Sequence, residues 1–132
     1  MSRLLNLPCN PKSYSPAALA FIGDAVYTLL SRECLLCEGN CPSNQLHNKS
    51  VQQVKCEAQA AALDKIFDIL TEKEQDICRR GRNLHTTHTP KNSSNADYHS
   101  ATALEALFGW LYVNDESNRI RELFSIITDK NH

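Results

Sequence analysis

Two stretches of this chain, AALAFIGDAVYTLL at 17–30 and ATALEALFGWLYV at 101–113, are apolar on almost every face of a helix, and each carries one charged residue. A helix that is apolar all round belongs in the middle of a fold or in an interface. These two segments are therefore predicted to lie in the middle of the domain or in an interface. Their charges are Asp24 and Glu105. An ionised carboxylate in such surroundings is costly unless a cation or a metal ion replaces its lost hydration. Each segment also holds a mid-helix glycine, Gly23 or Gly109. Glycine there costs about 1 kcal/mol relative to alanine and is expected to mark the close approach of another backbone.

The remaining signals are also helical, and no run alternates as a half-buried strand would, so the fold class is all-α. Ser15 before Pro16 is an N-cap with proline at the first helical position, and Gly39 offers a stop, which predicts a helix over about 16–38. A short helical turn is expected near 43–49. Ser50 with Gln53, and Thr71 with Glu74, are capping-box patterns that start a helix through VKCEAQAAALDKIFDIL and another ending near Gly81. Residues 82–97 are polar, carry Pro90 and read as a loop longer than most connections in a compact domain. An apolar helix over about 98–113 and an amphipathic one over about 115–129 close the chain. The 132 residues fit one domain, 1–132, with its core over about 16–129 and 1–14 irregular.

A formal net charge of −1 excludes a protein held to nucleic acid by overall charge, so any such contact must come from a local patch. Residues 79–91 supply one: Arg79, Arg80, Arg82 and Lys91 with no acid among them. These could bridge phosphates across an A-form minor groove, with Asn83 and Asn92 as donors to 2′-hydroxyls. The plainer reading is a solvated basic helix end that complements its own dipole. No run approaches the roughly 20 apolar residues of a membrane helix, and the N-terminus lacks the pattern of a signal peptide. The expectation is a soluble protein of the cytoplasm, or of an organellar stroma had a targeting segment been removed. The six cysteines are expected to be reduced and mostly buried. CLLCEGNC at 34–41 has Cys-x-x-Cys spacing, but neither a second such pair nor a histidine pair completes a zinc site nearby.

Carboxylates converging from two central helices would make an oxygen-rich site suited to Mg²⁺, and phosphodiester cleavage is the reaction such a site serves best. The alternative is that each acid is a core residue satisfied by an arginine or a backbone donor.

The sequence LAFIGDAVYTLL resembles the signature helix of the ribonuclease III family, and TALEALFGWLYV resembles that family's second catalytic helix, in the same order and at a similar separation. RRGRN, then TPKN, then Tyr98 shortly before the second helix, is similar to the Mini-III branch, whose members consist of the nuclease domain alone. Larger members of the family carry a glutamate four residues before the aspartate and an aspartate three residues before the glutamate. Here those positions are Ala20 and Thr102, which is similar to the pattern of the Mini-III branch.

The resemblance implies a ribonuclease III endonuclease-domain-like helical bundle and a symmetric homodimer. It implies metal-dependent endonucleolytic cleavage of double-stranded RNA that leaves 5′-phosphates, with precursor 23S ribosomal RNA as the substrate. Asp24 and Glu105 would be the catalytic residues and the metal ligands, with Mg²⁺ as cofactor and Mn²⁺ as a substitute. Arg80, Arg82, Asn83, Lys91 and Asn92 would bind RNA, and a ribosomal protein could act as an accessory partner. A non-catalytic structured-RNA-binding or ribosome-associated protein of the same fold is the alternative, supported by the two absent acids. A thiol or zinc protein using Cys34, Cys37 and Cys41 is a third, which needs those side chains to converge across Gly39 and Pro42.

Overall fold

The computed structural model of the chain describes residues 3–84 and 94–129. Six α-helices occur among them: α1 (Pro16–Glu38), α2 (Ser43–Val54), α3 (Cys56–Ile66), α4 (Glu72–Arg82), α5 (Asn95–Val113) and α6 (Ser117–Thr128). No strand occurs among the described residues, in keeping with the all-α expectation.

Helix α5 is the axis of the fold. Leu104, Leu107, Phe108 and Leu111 are shut off from solvent, and α1, α3, α4 and α6 all pack around the helix. Helix α1 buries one stripe only: Leu19, Gly23, Val26, Tyr27, Ser31 and Leu35, at the spacing of one helical face. The Tyr27 ring meets Phe108 and Phe124 edge-on at centroid distances of 5.3 and 5.6 Å, tying α1 to α5 and α6. Its other face carries Phe21 at 82% exposure, with Leu29 and Leu36 also exposed. Of the two helices expected in the middle of the domain or in an interface, only α5 is wrapped by this chain. The apolar outer face of α1 is what an interface would cover.

Local signals set the starts of α1, α4 and α5. The Ser15 Oγ accepts from Ala18 N at 3.1 Å with Pro16 following, and α1 stops at Glu38. In the Thr71–Glu74 capping box, Thr71 Oγ1 accepts from Glu74 N at 3.1 Å and Glu74 Oε1 accepts from Thr71 N at 2.8 Å. Glu74 is also gripped by Arg119 of α6, whose Nε and Nη2 donate to its two oxygens at 2.9 and 2.8 Å. Burial pushes the Glu74 carboxyl up, but the hydrogen bonds from Arg119 and Thr71 outweigh it and hold the group below the ordinary glutamate range.

Three expectations need correction. The Ser50–Gln53 pair does not cap a helix, because α2 runs through both residues and the break comes at Lys55. Ser50 is buried, and Gln53 Oε1 accepts from Ser31 Oγ of α1 instead. The last apolar helix starts at Asn95, ahead of the predicted 98, because Ser94 Oγ accepts from Asp97 N at 3.0 Å and caps it. The cysteines are free, as expected, but only Cys78 is buried, where burial pushes its thiol up to about 12. Cys9 and Cys37 are exposed. Helix α1 ends before Cys41, so Cys34, Cys37 and Cys41 do not share one helix, and no group of three metal-ligating side chains forms among the described residues. No helix among those residues is long and apolar enough to cross a membrane.

Candidate active site

Helices α1 and α5 touch backbone to backbone. A Cβ placed on Gly23 would lie 1.6 Å from the Glu105 carbonyl oxygen, and one on Gly109 would lie 1.9 Å from the Leu19 carbonyl oxygen. Only hydrogen fits at either position, so the two glycines act as a matched pair that sets the crossing. The close approach expected from their mid-helix positions is what the fold uses them for. Asp24 follows Gly23 in sequence, and Glu105 sits one turn before Gly109. The contact that needs the glycines therefore brings the two acids together.

They line one open cavity of about 380 Å³, with Ala17, Ala20, Phe21, Leu84, Tyr98, His99 and Thr102. Glu105 is half-buried, whereas Asp24 is exposed in the single protomer, so the desolvation argued from hydropathy falls mainly on Glu105. Its carboxyl is pushed up to about 8, first by burial and then by the charge of Asp24 and a hydrogen bond with it. Gln59 of α3 acts in the opposite direction, with its Nε2 lying 3.5 Å from Glu105 Oε2. Among the described residues no lysine, arginine or histidine pairs with either acid. The reading of each acid as a core residue satisfied by an arginine therefore finds no such partner among those residues.

The end of α4 forms the rim. Gly81 lies inside the last turn of that helix and does not terminate it. A Cβ on it would stand 3.0 Å from Ala106 Cβ and 3.1 Å from Ala103 Cα of α5. This close seat brings Arg82 onto the start of α5, where its Nη2 donates to Ser100 Oγ at 3.2 Å. Arg79, Arg80, Arg82 and Asn83 are all exposed there, and Leu84 lines the cavity itself. Lys91 and Asn92 lie outside the described residues, as do His85 and His88.

Sequence reasoning missed Gln59, His99 and Phe21. Tyr98, Thr102 and Glu105 follow at spacings of four and three, so they share a face of α5. His99 falls inside the helix expected from 98, but no pattern in the sequence marked it as a cavity residue. Gln59 had a weak signal, a lone amide among the alanines of AQAAAL. Trp110, Phe108 and Tyr112 stay out of the cavity, as core packing implies.

Residues 17–116 match the Ribonuclease III domain family. The chain belongs to the ribonuclease III family. It is 45% identical over 114 residues to the Mini-ribonuclease 3 of Thermoanaerobacter sp. (strain X514), covering 86% of this chain and 80% of that one. It is 40% identical over 120 residues to the Mini-ribonuclease 3 of Symbiobacterium thermophilum, covering 91% and 92%. A crystal structure of a Fusobacterium nucleatum protein superposes with a TM-score of 0.81 at 29% identity, covering 88% of this chain and 89% of that one. The resemblance to the Mini-III branch is thus borne out, and the protein is an endoribonuclease of the ribonuclease III family.

Members of this family generally depend on divalent metal. The donor set fits such an ion: two adjacent carboxylates with no cationic partner among the described residues, one of them pushed up first by burial and then by the charge of the other. A hard divalent ion is commonly bound by one or two carboxylates plus waters and phosphate oxygens. Neither position that departs from the larger enzymes carries a carboxylate: the Ala20 side chain has no ligating atom, and Thr102 offers a neutral hydroxyl, whose proton is donated to Tyr98 O at 3.0 Å.

Proposed function

We propose that this endoribonuclease cleaves double-stranded RNA as a homodimer of single nuclease domains, with Asp24 and Glu105 as catalytic carboxylates and ligands of Mg²⁺, for which Mn²⁺ can substitute. The observation that carries the reading is the Gly23–Gly109 crossing, which sets two acids with no cationic partner among the described residues side by side in an open cavity beside an arginine-bearing rim. When bound, the ion supplies Lewis-acid polarisation of the scissile phosphodiester. The protein's own contribution is to hold two negative groups with few alternatives to a metal, and to offer Arg80, Arg82, Asn83, Lys91 and Asn92 to the RNA backbone. Such contacts suit an A-form duplex, which presents shape, phosphates and 2′-hydroxyls more than base edges.

The homodimer is supported by the exposed apolar face of α1, where Phe21 stands beside the cavity and Leu29 and Leu36 continue the strip. Precursor 23S ribosomal RNA as substrate, a ribosomal protein as accessory and a cytoplasmic location rest on the resemblance to the Mini-III branch. The test is direct. Protein sedimenting as a dimer at micromolar concentration should cut long double-stranded RNA and a precursor 23S transcript to 5′-phosphorylated products with Mg²⁺, and should cut neither with EDTA. Binding without cleavage in Mg²⁺ would support the scaffold reading in its place.

The basic rim has its own test. Changing Arg80, Arg82 and Lys91 to glutamine together should weaken RNA binding and reduce the slope of log K against log salt by about 1 for each phosphate no longer neutralised. Cleavage should survive at high protein concentration, because none of the three is assigned to the chemistry. An unchanged salt slope would mean that this segment merely solvates the end of α4.

A further inference from the structure

We infer that Gln59 is a positioning residue that acts through Glu105, holding its carboxyl group in place beside Asp24. The inference rests on the reading of Asp24 and Glu105 as metal ligands.

The break between α2 and α3 at Lys55 leaves carbonyls at the end of α2 without helical partners. Gln59 reaches back to one of them, donating from Nε2 to Val54 O at 2.9 Å. A carbonyl oxygen can only accept, so this bond fixes which end of the amide is nitrogen. The same nitrogen has a second proton, and Glu105 Oε2 lies 3.5 Å away. An amide N–H turned toward a carboxyl oxygen restricts the rotation of that carboxyl group. Anchored to the α2 backbone on one side, Gln59 lets the carboxyl of α5 lean on a third helix.

A role confined to capping α2 explains less of the geometry. Gln59 is 2% exposed, and no donor reaches its Oε1 among the described residues. A buried unpaired acceptor is unfavourable, and an apolar side chain of similar volume would fill the space without it. Such a side chain could donate neither to Val54 O nor to Glu105, and of these two bonds only the second reaches the acids. Partners of this kind, one bond removed from a metal, orient the ligand, and their loss commonly weakens metal binding about 10- to 100-fold.

The experiment is a double-mutant cycle on the intact protein. Gln59→Leu, Glu105→Gln and the double variant are compared with the parent, using the free-ion electron paramagnetic resonance signal of Mn²⁺ to follow binding. Gln59→Leu should weaken Mn²⁺ binding about 10-fold in the parent and cause little further loss on top of Glu105→Gln, because the residue works through that carboxylate. Loss of the α2 cap should lower the melting temperature in both backgrounds, and this marks the structural share of the effect. Parent-like Mn²⁺ affinity in Gln59→Leu, or an equal loss in both backgrounds, would overturn the inference while leaving the metal site standing. A parent protein whose Mn²⁺ binding ignores both Asp24→Asn and Glu105→Gln would overturn the metal reading itself. Should Gln59→Leu fail to fold, the side-chain amide resonance of Gln59 decides the matter in the unsubstituted chain. It should shift on Mg²⁺ addition in the parent and stay in place in Glu105→Gln, and any other pattern refutes the role.

Discussion

Asp24→Asn should abolish cleavage while leaving the fold, the dimer and RNA binding in place. The substitution keeps the shape of the side chain and removes the charge that would hold the ion. Losing about 4 kcal/mol of transition-state stabilisation corresponds to a fall of about a thousandfold in rate. The fold should tolerate the change because Asp24 is exposed and pairs with no cation among the described residues. A second signature should accompany the loss. Glu105 titrates near 8 in the folded protein against an ordinary value of 4.5, first because it is buried and then because Asp24 faces it. This is the reverse of the usual carboxylate case, since the folded protein keeps a proton that the unfolded chain has released. Without divalent ions, the contribution of Glu105 to stability is therefore fully present below about 4.5 and is lost as pH rises toward 8. Asparagine at 24 removes the neighbouring charge but not the burial, so the decline should become shallower without disappearing. Melting temperatures of the metal-free parent and variant across that pH range measure it. A dimeric Asp24→Asn protein cutting duplex RNA at the parent rate would remove Asp24 from the chemistry.

Gly23→Ala should damage the protein by a different route. The added methyl would lie 1.6 Å from the Glu105 carbonyl oxygen and 2.8 Å from Gly109 N, and both are backbone atoms in the middle of a helix. No rotamer change relieves that clash, so α1 and α5 must separate. Overpacking of this kind typically costs about 1–3 kcal/mol and occasionally more. The better helix propensity of alanine returns about 1 kcal/mol. With the clash on rigid backbone, the net loss should be about 2 kcal/mol or more, which lowers the melting temperature by about 10 °C. Activity should fall further than stability, because the peptide being pushed belongs to Glu105. Assays run where circular dichroism shows the variant folded would separate the two effects. Parent-like melting would mean that the crossing is looser than these distances indicate.

Features decided within a turn or two of helix were legible from the residues alone. Ser15–Pro16 and Thr71–Glu74 work as caps because donor and acceptor sit at most three residues apart and need no other part of the chain. The pairing of one acid with one glycine in each of two apolar helices was equally legible, since a costly residue that recurs in matched settings points to a shared contact. The rest depended on how the helices pack. Ser50–Gln53 has the spacing of a cap, yet Ser31 of α1 claims Gln53 and the helix runs on, because a local hydrogen bond competes with partners that the sequence does not place. Hydropathy made α1 and α5 look alike, but α5 is enclosed by its neighbours while α1 leaves Phe21 in the open. The amide of Gln59 meets Glu105 across 46 positions of chain. Such a meeting follows from the arrangement of three helices, and no spacing within any one of them encodes it.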